Sequence, residues 1–461
     1  MGDATRIDSD FTFKNHPSLP IAIVGGGLCG LALAIGLVKH GINVRIYESA
    51  PAFSEIGAGV AFGINSITAL KLIDPRLLAG YKKHATFNAE PARRNTFFTM
   101  RWGTDSARLN GPRAGDVAWD LDDVWHPERT QALGVQTRSC IHRAHLLSEL
   151  ISLLPEGITT FNKSFTHATS LPDKTLILHF TDGSTVHCAA LLGCDGIKSH
   201  VRQHVCPDVK PAYARETAYR AVVPRAAAIA ALGEEYALNG HVYCGYGGYI
   251  ITYPISLGEQ VNIVAIPHGT SETWDHGDEW TVPCTREEIV DRLKKWYQPI
   301  VQLLAEYRLP TKWGLFVIQH NNPYTSGRVA LVGDAAHATV PHLGAGAGMA
   351  MEDAYVLSSL INAAGGVENI EKAFAAYDAV RRDRTQEVVR RSLEAGQAYG
   401  FALGSDDEGE VKSVLEESFE RIWGVDLEGE VRRSMGIMGV GKGGELGQSR
   451  VGKGSWGCPV V

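Results

Sequence analysis

No two cysteines in this chain of 461 residues are spaced C-x-x-C, and the eight present, Cys29, Cys140, Cys188, Cys194, Cys206, Cys244, Cys284 and Cys458, follow no regular interval. Neither a zinc site nor a disulfide framework is suggested. Several lie in apolar runs and read as buried reduced thiols, so a reducing compartment, the cytoplasm, is the expected location. Positive charge is also short, with 44 Lys and Arg against 51 Asp and Glu and a net charge of −7. That balance gives no reason to expect nucleic acid or an anionic membrane as partner. The basic clusters Arg381, Arg382, Arg384 and Arg390, Arg391 fall in a helical pattern and are expected on a solvated helix face. No internal repeat, signal peptide or retention tail is visible, and MGDATR lacks the Ser or Thr that myristoylation needs at its sixth position. The sequon at Asn162-Lys163-Ser164 reads as a chance match. One run, Ile21 to Val38, is uncharged and nearly long enough to span a bilayer. Its repeated glycines and the preceding Asp3, Asp8 and Asp10 argue against a membrane span. Nothing in these features specifies an oligomeric state.

The same run carries the most informative pattern. Ile21 to Glu48 reads IAIVGGGLCGLALAIGLVKHGINVRIYE: a short apolar strand, a glycine turn, a small-residue helix, a second strand and an acid. Gly25, Gly27 and Gly30 fit G-x-G-x-x-G, which lets a backbone turn tightly, approach a pyrophosphate and pack the next helix on the strand. The first N–H groups of that helix then face phosphates. Glu48 ends the second strand, where a carboxylate can accept from both hydroxyls of an adenosine ribose. Taken alone, this unit fits NAD, NADP or FAD.

Farther along, SEIGAGVAFG (Ser54 to Gly63) is too rich in glycine for a helix and reads as a loop close to a ligand. Asn65 to Leu72 resumes helical spacing, and Arg138 to Leu154 reads as an amphipathic helix. Thr175 to Leu192 alternates as paired strands around the turn Thr181-Asp182-Gly183. From about Cys206 to Gln319, stretches such as HVYCGYGGYIITYPI and QVNIVAIPH predict an antiparallel sheet. Strand, turn and long helix return in RVALVGDAAHATVPHLGAGAGMAMEDAYVLSSLI, and Glu371 to Trp423 is helical and charged. The expected architecture is α/β: a Rossmann-like cofactor domain assembled from discontinuous segments (19–95, 96–205 with mixed substrate-side strands, and 326–435 with C-terminal helices), with a β-rich substrate domain (206–325) inserted. Residues 436–461 read as a flexible glycine-rich tail.

Two further motifs narrow the cofactor. Leu192-Gly193-Cys194-Asp195-Gly196 ends a strand at an Asp-Gly turn, which is by itself an ordinary turn dipeptide. Val332-Gly333-Asp334-Ala335-Ala336-His337 delivers an acid onto a turn of small residues, where it can bond a sugar or ribityl hydroxyl. PHLGAGAG, with Gly346 and Ala347, then opens the helix bearing Glu352 and Asp353. Free N–H groups at such a start suit partial negative charge on a planar ring such as a reduced flavin; helix packing is the plainer reading. His337 and His342 have no acid or cysteine at ligand spacing and are expected in packing or hydrogen-bonding positions.

GGGLCG with Glu48, Asp195-Gly196, and Gly333-Asp334 with PHLGAGAG resemble, in this order, the three fingerprints of FAD-dependent aromatic hydroxylases, the group A flavoprotein monooxygenases of the para-hydroxybenzoate hydroxylase type. EIGAGVAFGINS, ALKLID, CIHRAHLL, AYDAVRR and IWGVDLE make the chain similar to fungal salicylate-hydroxylase-like enzymes over about residues 20 to 430. The resemblance implies that Glu48 binds the adenosine ribose, Ala61 lies against the cofactor and Arg143 holds FAD from its helix. It also implies that Asp195 sits by the junction of the nicotinamide and phosphate region, Asp334 binds the ribityl and pyrophosphate portion, and Ala347 lies at the flavin ring. NADH or NADPH would serve as transient reductant, with no glycine motif of its own. Molecular oxygen would reach a phenolic ring through a flavin hydroperoxide.

A ring accepts electrophilic oxygen best as its phenolate, so cationic or hydrogen-bonding groups should face that oxygen. Arg220 in AYRAVV and Tyr253 in IITYPI resemble the arginine and tyrosine that dearomatising phenol hydroxylases use for this purpose. Arg220 among apolar strand neighbours is awkward without an anionic partner, whereas Tyr253 before a proline also reads as core. Two outcomes stay open: salicylate- or orsellinate-like hydroxylation with loss of carbon dioxide, and dearomatising hydroxylation of a resorcinol- or orcinaldehyde-type ring. A flavin oxidase or dehydrogenase, or a non-catalytic protein on the same fold, would share the opening motif.

Overall fold

Ile21, Ala22, Ile23 and Val24 are all buried, as a strand covered on both faces requires. In the computed structural model, which describes residues 19–53, 59–122, 126–269, 273–306 and 311–440, this strand lies inside a six-stranded sheet. It pairs in parallel with Val44–Tyr47 on one side and Ala190–Gly193 on the other, with Ile23 opposite both Ile46 and Leu192. Ala190–Gly193 in turn pairs in parallel with Val329–Leu331, and Val44–Tyr47 with Thr159–Thr160. Segments far apart in sequence thus share one sheet, the discontinuous assembly that the motif order implies. The helix Leu28–Lys39 connects the first two strands, and Gly41, at φ 71, takes the left-handed turn that ends it.

An eight-stranded sheet forms the second layer. Its middle strands, Ala212–Pro224, Gln260–Pro267 and Gly248–Ile255, pair antiparallel side by side. Alternation gives this sheet two distinct faces. Tyr219, Ala221, Val223, Ile250, Ile263 and Ala265 pack into a core with Ile289, Ile300 and Leu304 from covering helices. Arg220 and Val222 alternate onto the opposite face with Val264, Asn262, Ile251 and Tyr253. That face is joined to the first layer through Ala218, Tyr249 and Ile266.

Several local expectations need correction. Gly59–Phe62 is a strand paired with Ser139–His142 rather than loop, because Val60, Ala61 and Phe62 find a partner edge; Ser54 to Ala58 lie outside the described residues. The helix expected from Arg138 begins only at Arg143, since Ser139–His142 serves as that edge. Leu176–Phe180 and Thr185–Cys188 form the expected hairpin, but Ala190–Gly193 leaves it for the parallel sheet. Arg381 is not on a solvated face: it is fully buried, ion-paired to Glu352, Asp353 and Glu430. Among the described cysteines none is disulfide-bonded, and five of the seven are buried; Cys458 and the tail from Gly441 lie outside the described residues. No described helix is long and apolar enough to cross a membrane.

Candidate active site

The glycines of the first turn divide into two kinds. Gly25 has φ 106 and faces the Cys194 carbonyl so closely that a Cβ would collide with it. A Cβ on Gly30 would meet the Gly25 carbonyl. Gly27, by contrast, has no atom within 4 Å of where a Cβ would stand, and it caps the Leu28–Lys39 helix with no side chain bonded to the first N–H groups. Open space above unfilled helix-terminal donors is the cradle that a pyrophosphate needs. Glu48 closes its side: Oε2 accepts from Gly26 N at 2.6 Å and Oε1 from Ala50 N at 2.8 Å. Oε1 also accepts from Ser49 Oγ at 3.1 Å, so Oε2 is the oxygen that keeps a further lone pair for a hydroxyl.

Asp195 is occupied differently. Its carboxylate accepts from Ser199 Oγ at 2.6 Å, His200 N at 2.7 Å and Val201 N at 3.0 Å, reinforcing the Ser199 cap of the short helix His200–Val205. Burial pushes its pKa up against those bonds. Asp334 is exposed at the start of the Asp334–His337 turn, with its Oδ1 4.0 Å from the point a Gly346 Cβ would occupy. The helix Gly346–Ala364 has no side-chain cap, so its first N–H groups are also open, beside the partly buried Ala347. Gly344 approaches Ala61, whose Cβ would lie 3.8 Å from a Cβ there. Ala61 packs on the buried trio Cys140, Tyr253 and Ile255. Asp334 thus neighbours the Gly346 helix start, Gly344 neighbours Ala61, and Ala61 packs towards Tyr253.

Tyr253 is buried, and its hydroxyl donates to the Gly59 carbonyl at 3.3 Å. Burial and Cys140 raise its pKa, opposed by Arg220, Arg138 and Asn262. Arg220 stacks over Trp313 at 4.9 Å, and no carboxylate among the described residues forms an ion pair with it. Burial lowers its pKa; Tyr253 opposes that shift and Arg143, at the start of the Arg143–Ser152 helix, adds to it. The three residues thus share one electrostatic neighbourhood.

His337 and His342 occupy hydrogen-bonding positions, as their spacing suggests. His337 Nε2 lies 2.6 Å from Asp353 Oδ2, whose other oxygen takes Arg381. His342 bridges Tyr249 (Nδ1 to the hydroxyl, 2.8 Å) and Glu216 (Nε2 to Oε2, 2.6 Å). Burial would raise the Glu216 pKa, but the charge and hydrogen bond of His342 outweigh it and hold the carboxyl below its usual range. Sequence reasoning missed Glu216 and Tyr249. An acid four residues before Arg220 in an apolar strand was the available signal for the first; Tyr249, one aromatic among several, offered none.

The FAD binding domain profile matches residues 18–392. The chain is 36% identical to the 6-methylsalicylate 1-monooxygenase of Aspergillus terreus, over 92% of this chain and 93% of that one. It is 35% identical to a salicylate hydroxylase of Pseudomonas putida, over 92% and 95%. The chain belongs to this FAD-dependent aromatic monooxygenase family. A solved salicylate hydroxylase in complex with its substrate superimposes with a TM-score of 0.77 at 30% identity, covering 90% of this chain and 98% of that one. The likeness spans both sheets, so the aromatic monooxygenase inherits the whole architecture rather than the cofactor unit alone.

Proposed function

We propose that this FAD-dependent monooxygenase hydroxylates a phenolic ring bearing a carboxylate or carbonyl group, salicylate- or orsellinate-like, with NADH or NADPH as reductant and molecular oxygen as co-substrate. One observation carries the reading: Arg220 is a cation within the protein that has a ring beneath it and no carboxylate partner among the described residues. A desolvated guanidinium stabilises an anionic ligand far more than an exposed one does. Arg220 would hold the phenolate, and the Tyr253 hydroxyl would orient it from the strand on the far side of Gln260–Pro267. Arg220 pairs equally well with a carboxylate, so it is compatible with both hydroxylation outcomes.

Bound FAD supplies oxygen activation and accepts electrons from the nicotinamide. In this reading Gly25, Gly27 and Gly30 admit the pyrophosphate to the helix start, and Glu48 takes the adenosine ribose. Asp334 takes the ribityl and pyrophosphate portion, Gly346 and Ala347 lie at the ring, and Ala61 and Arg143 border it. Asp195 shapes the adjoining turn by reinforcing the Ser199 cap. The similarity to the 6-methylsalicylate and salicylate enzymes supports hydroxylation at the carboxylated carbon, which yields a catechol and carbon dioxide. The Arg220 and Tyr253 pair also supports a dearomatising outcome, which leaves a dienone. Mass spectrometry of products from salicylates, orsellinates and orcinaldehydes, with either nicotinamide, separates the two. Turnover that needs no nicotinamide, or oxidation of nicotinamide without any oxygenated ring, would refute the proposal.

A further inference from the structure

Asn262 stands in the middle of the Gln260–Pro267 strand, between Val261 and Ile263, and is completely buried. Neither its Nδ2 nor its Oδ1 has a hydrogen-bond partner among the described residues. A hydrogen bond from Asn262 would lower the Tyr253 pKa, but the two side chains do not meet in hydrogen-bond geometry: the Tyr253 hydroxyl donates to the Gly59 carbonyl at 3.3 Å instead. A buried amide with both donor and acceptor unmet weakens the fold that contains it. Such a group is retained where it meets something other than the chain itself.

Its place in the sheet says what. Asn262 lies opposite Val222 on one neighbouring strand and opposite Tyr253 on the other. The next row on the same face is Arg220, Val264 and Ile251. The amide therefore sits between the arginine strand and the tyrosine strand, one row from Arg220. Neighbouring strands are about 5 Å apart and successive rows about 7 Å, a spacing that a benzene ring with one substituent can bridge. The face is otherwise apolar at Val222, Val264 and Ile251, so Asn262 offers a substituent on such a ring its uncharged donor.

We propose that Asn262 is a positioning residue that sets substrate specificity, its Nδ2 donating to a carbonyl or carboxylate oxygen ortho to the phenol oxygen held by Arg220. The inference rests on the reading of Arg220 given above. It commits the substrate to ortho-hydroxyaryl acids or aldehydes. A site built to bond a ligand group discriminates strongly against the analogue without it, because the protein's buried donor is then left unmet.

The test uses FAD-loaded enzyme titrated with matched ligand pairs, salicylate against phenol and orcinaldehyde against orcinol, followed by the change in flavin absorbance. The wild type should bind the carbonyl-bearing member of at least one pair about tenfold or more tightly than its partner. Asn262→Leu should bring that preference to within about twofold while phenol and orcinol bind unchanged, and Asn262→Ser, which keeps a donor, should restore part of it. Asn262→Leu should also unfold at the wild-type temperature or above, the opposite of what a structural role gives. Retained preference in Asn262→Leu, equal losses for both members of a pair, or a lowered unfolding temperature would each overturn the proposal for Asn262 and leave that for Arg220 standing. A wild type that binds no member of either pair would overturn both.

Discussion

Arg381 Nε and Asp353 Oδ1 lie 2.8 Å apart with neither side chain exposed to solvent. The other Asp353 oxygen accepts from Gly333 N at 3.0 Å and meets His337 at 2.6 Å, so the pair ties the long helix Ile370–Tyr399 to the turn that presents Asp334. Arg381 also reaches Glu430 at 2.9 Å and Glu352 at 2.8 Å. Removing one partner of a buried ion cluster leaves uncompensated charge and costs about 3–5 kcal/mol. Arg381→Met should lower the thermal unfolding midpoint strongly and reduce the FAD retained after gel filtration. Arg390→Ala, which breaks exposed pairs to Glu387 and Glu394, should cost under about 1 kcal/mol. Equal midpoints for the two variants would refute the buried-cluster argument.

The contrast between Arg381 and Arg390 also marks how far the sequence could be read. Both lie in one charged helical pattern, and periodicity alone placed both on the surface. Arg381 is interior because three acids from other segments converge on it, and such convergence is a tertiary fact. The βαβ unit was legible because one ligand requirement dictates its glycines locally. Gly59–Phe62 was read as loop because its partner strand lies about eighty residues away. Arg220 was legible through incongruity, a cation in an apolar strand. Asn262, an amide in the same kind of setting, carried the same signal more faintly because it bears no charge.

Gly27 and Gly30 belong to one motif but should fail differently. A Cβ at Gly30 collides with the Gly25 carbonyl, so Gly30→Ala should distort the strand-to-helix turn and destabilise the protein even without cofactor. Gly27 is at φ −75 with open space around it, so Gly27→Ala should leave the apoprotein's unfolding midpoint nearly unchanged. The added methyl instead occupies the pyrophosphate cradle, and flavin absorbance after desalting should fall. A Gly27→Ala protein that keeps wild-type flavin content would remove this turn from the cofactor site.

His241 gives the fold a sensitivity to acid. Its Nδ1 accepts from Arg101 Nε at 3.1 Å, and burial together with the Arg101 charge pushes its pKa down to about 3. The folded protein therefore keeps His241 neutral while the unfolded chain takes up a proton below about pH 6.5. The unfolded state binds more protons over that window, so stability falls as pH drops from about 6.5 towards 3, by up to roughly 1.4 kcal/mol per pH unit from this group. His241→Gln removes the titration. Its deficit relative to wild type, measured by chemical denaturation at neutral pH, should shrink on acidification to about pH 5; a constant deficit would show that His241 does not titrate as argued.

Arg220 lacks an ion-pair partner among the described residues, which sets an unusual expectation for its removal. Losing a buried ion-pair member normally destabilises a protein, whereas losing a desolvated, unmatched cation relieves it. Arg220→Leu should therefore retain FAD and unfold at or above the wild-type temperature. Its substrate-stimulated nicotinamide oxidation should nevertheless fall, because the phenolate loses the group that offsets its charge; the loss in kcat/KM should be about a hundredfold or more. Arg220→Lys keeps the charge without the planar fork and should recover only part of the rate. Unimpaired turnover in Arg220→Leu would remove the residue from the site, and a large drop in unfolding temperature would show that the guanidinium is a structural element instead.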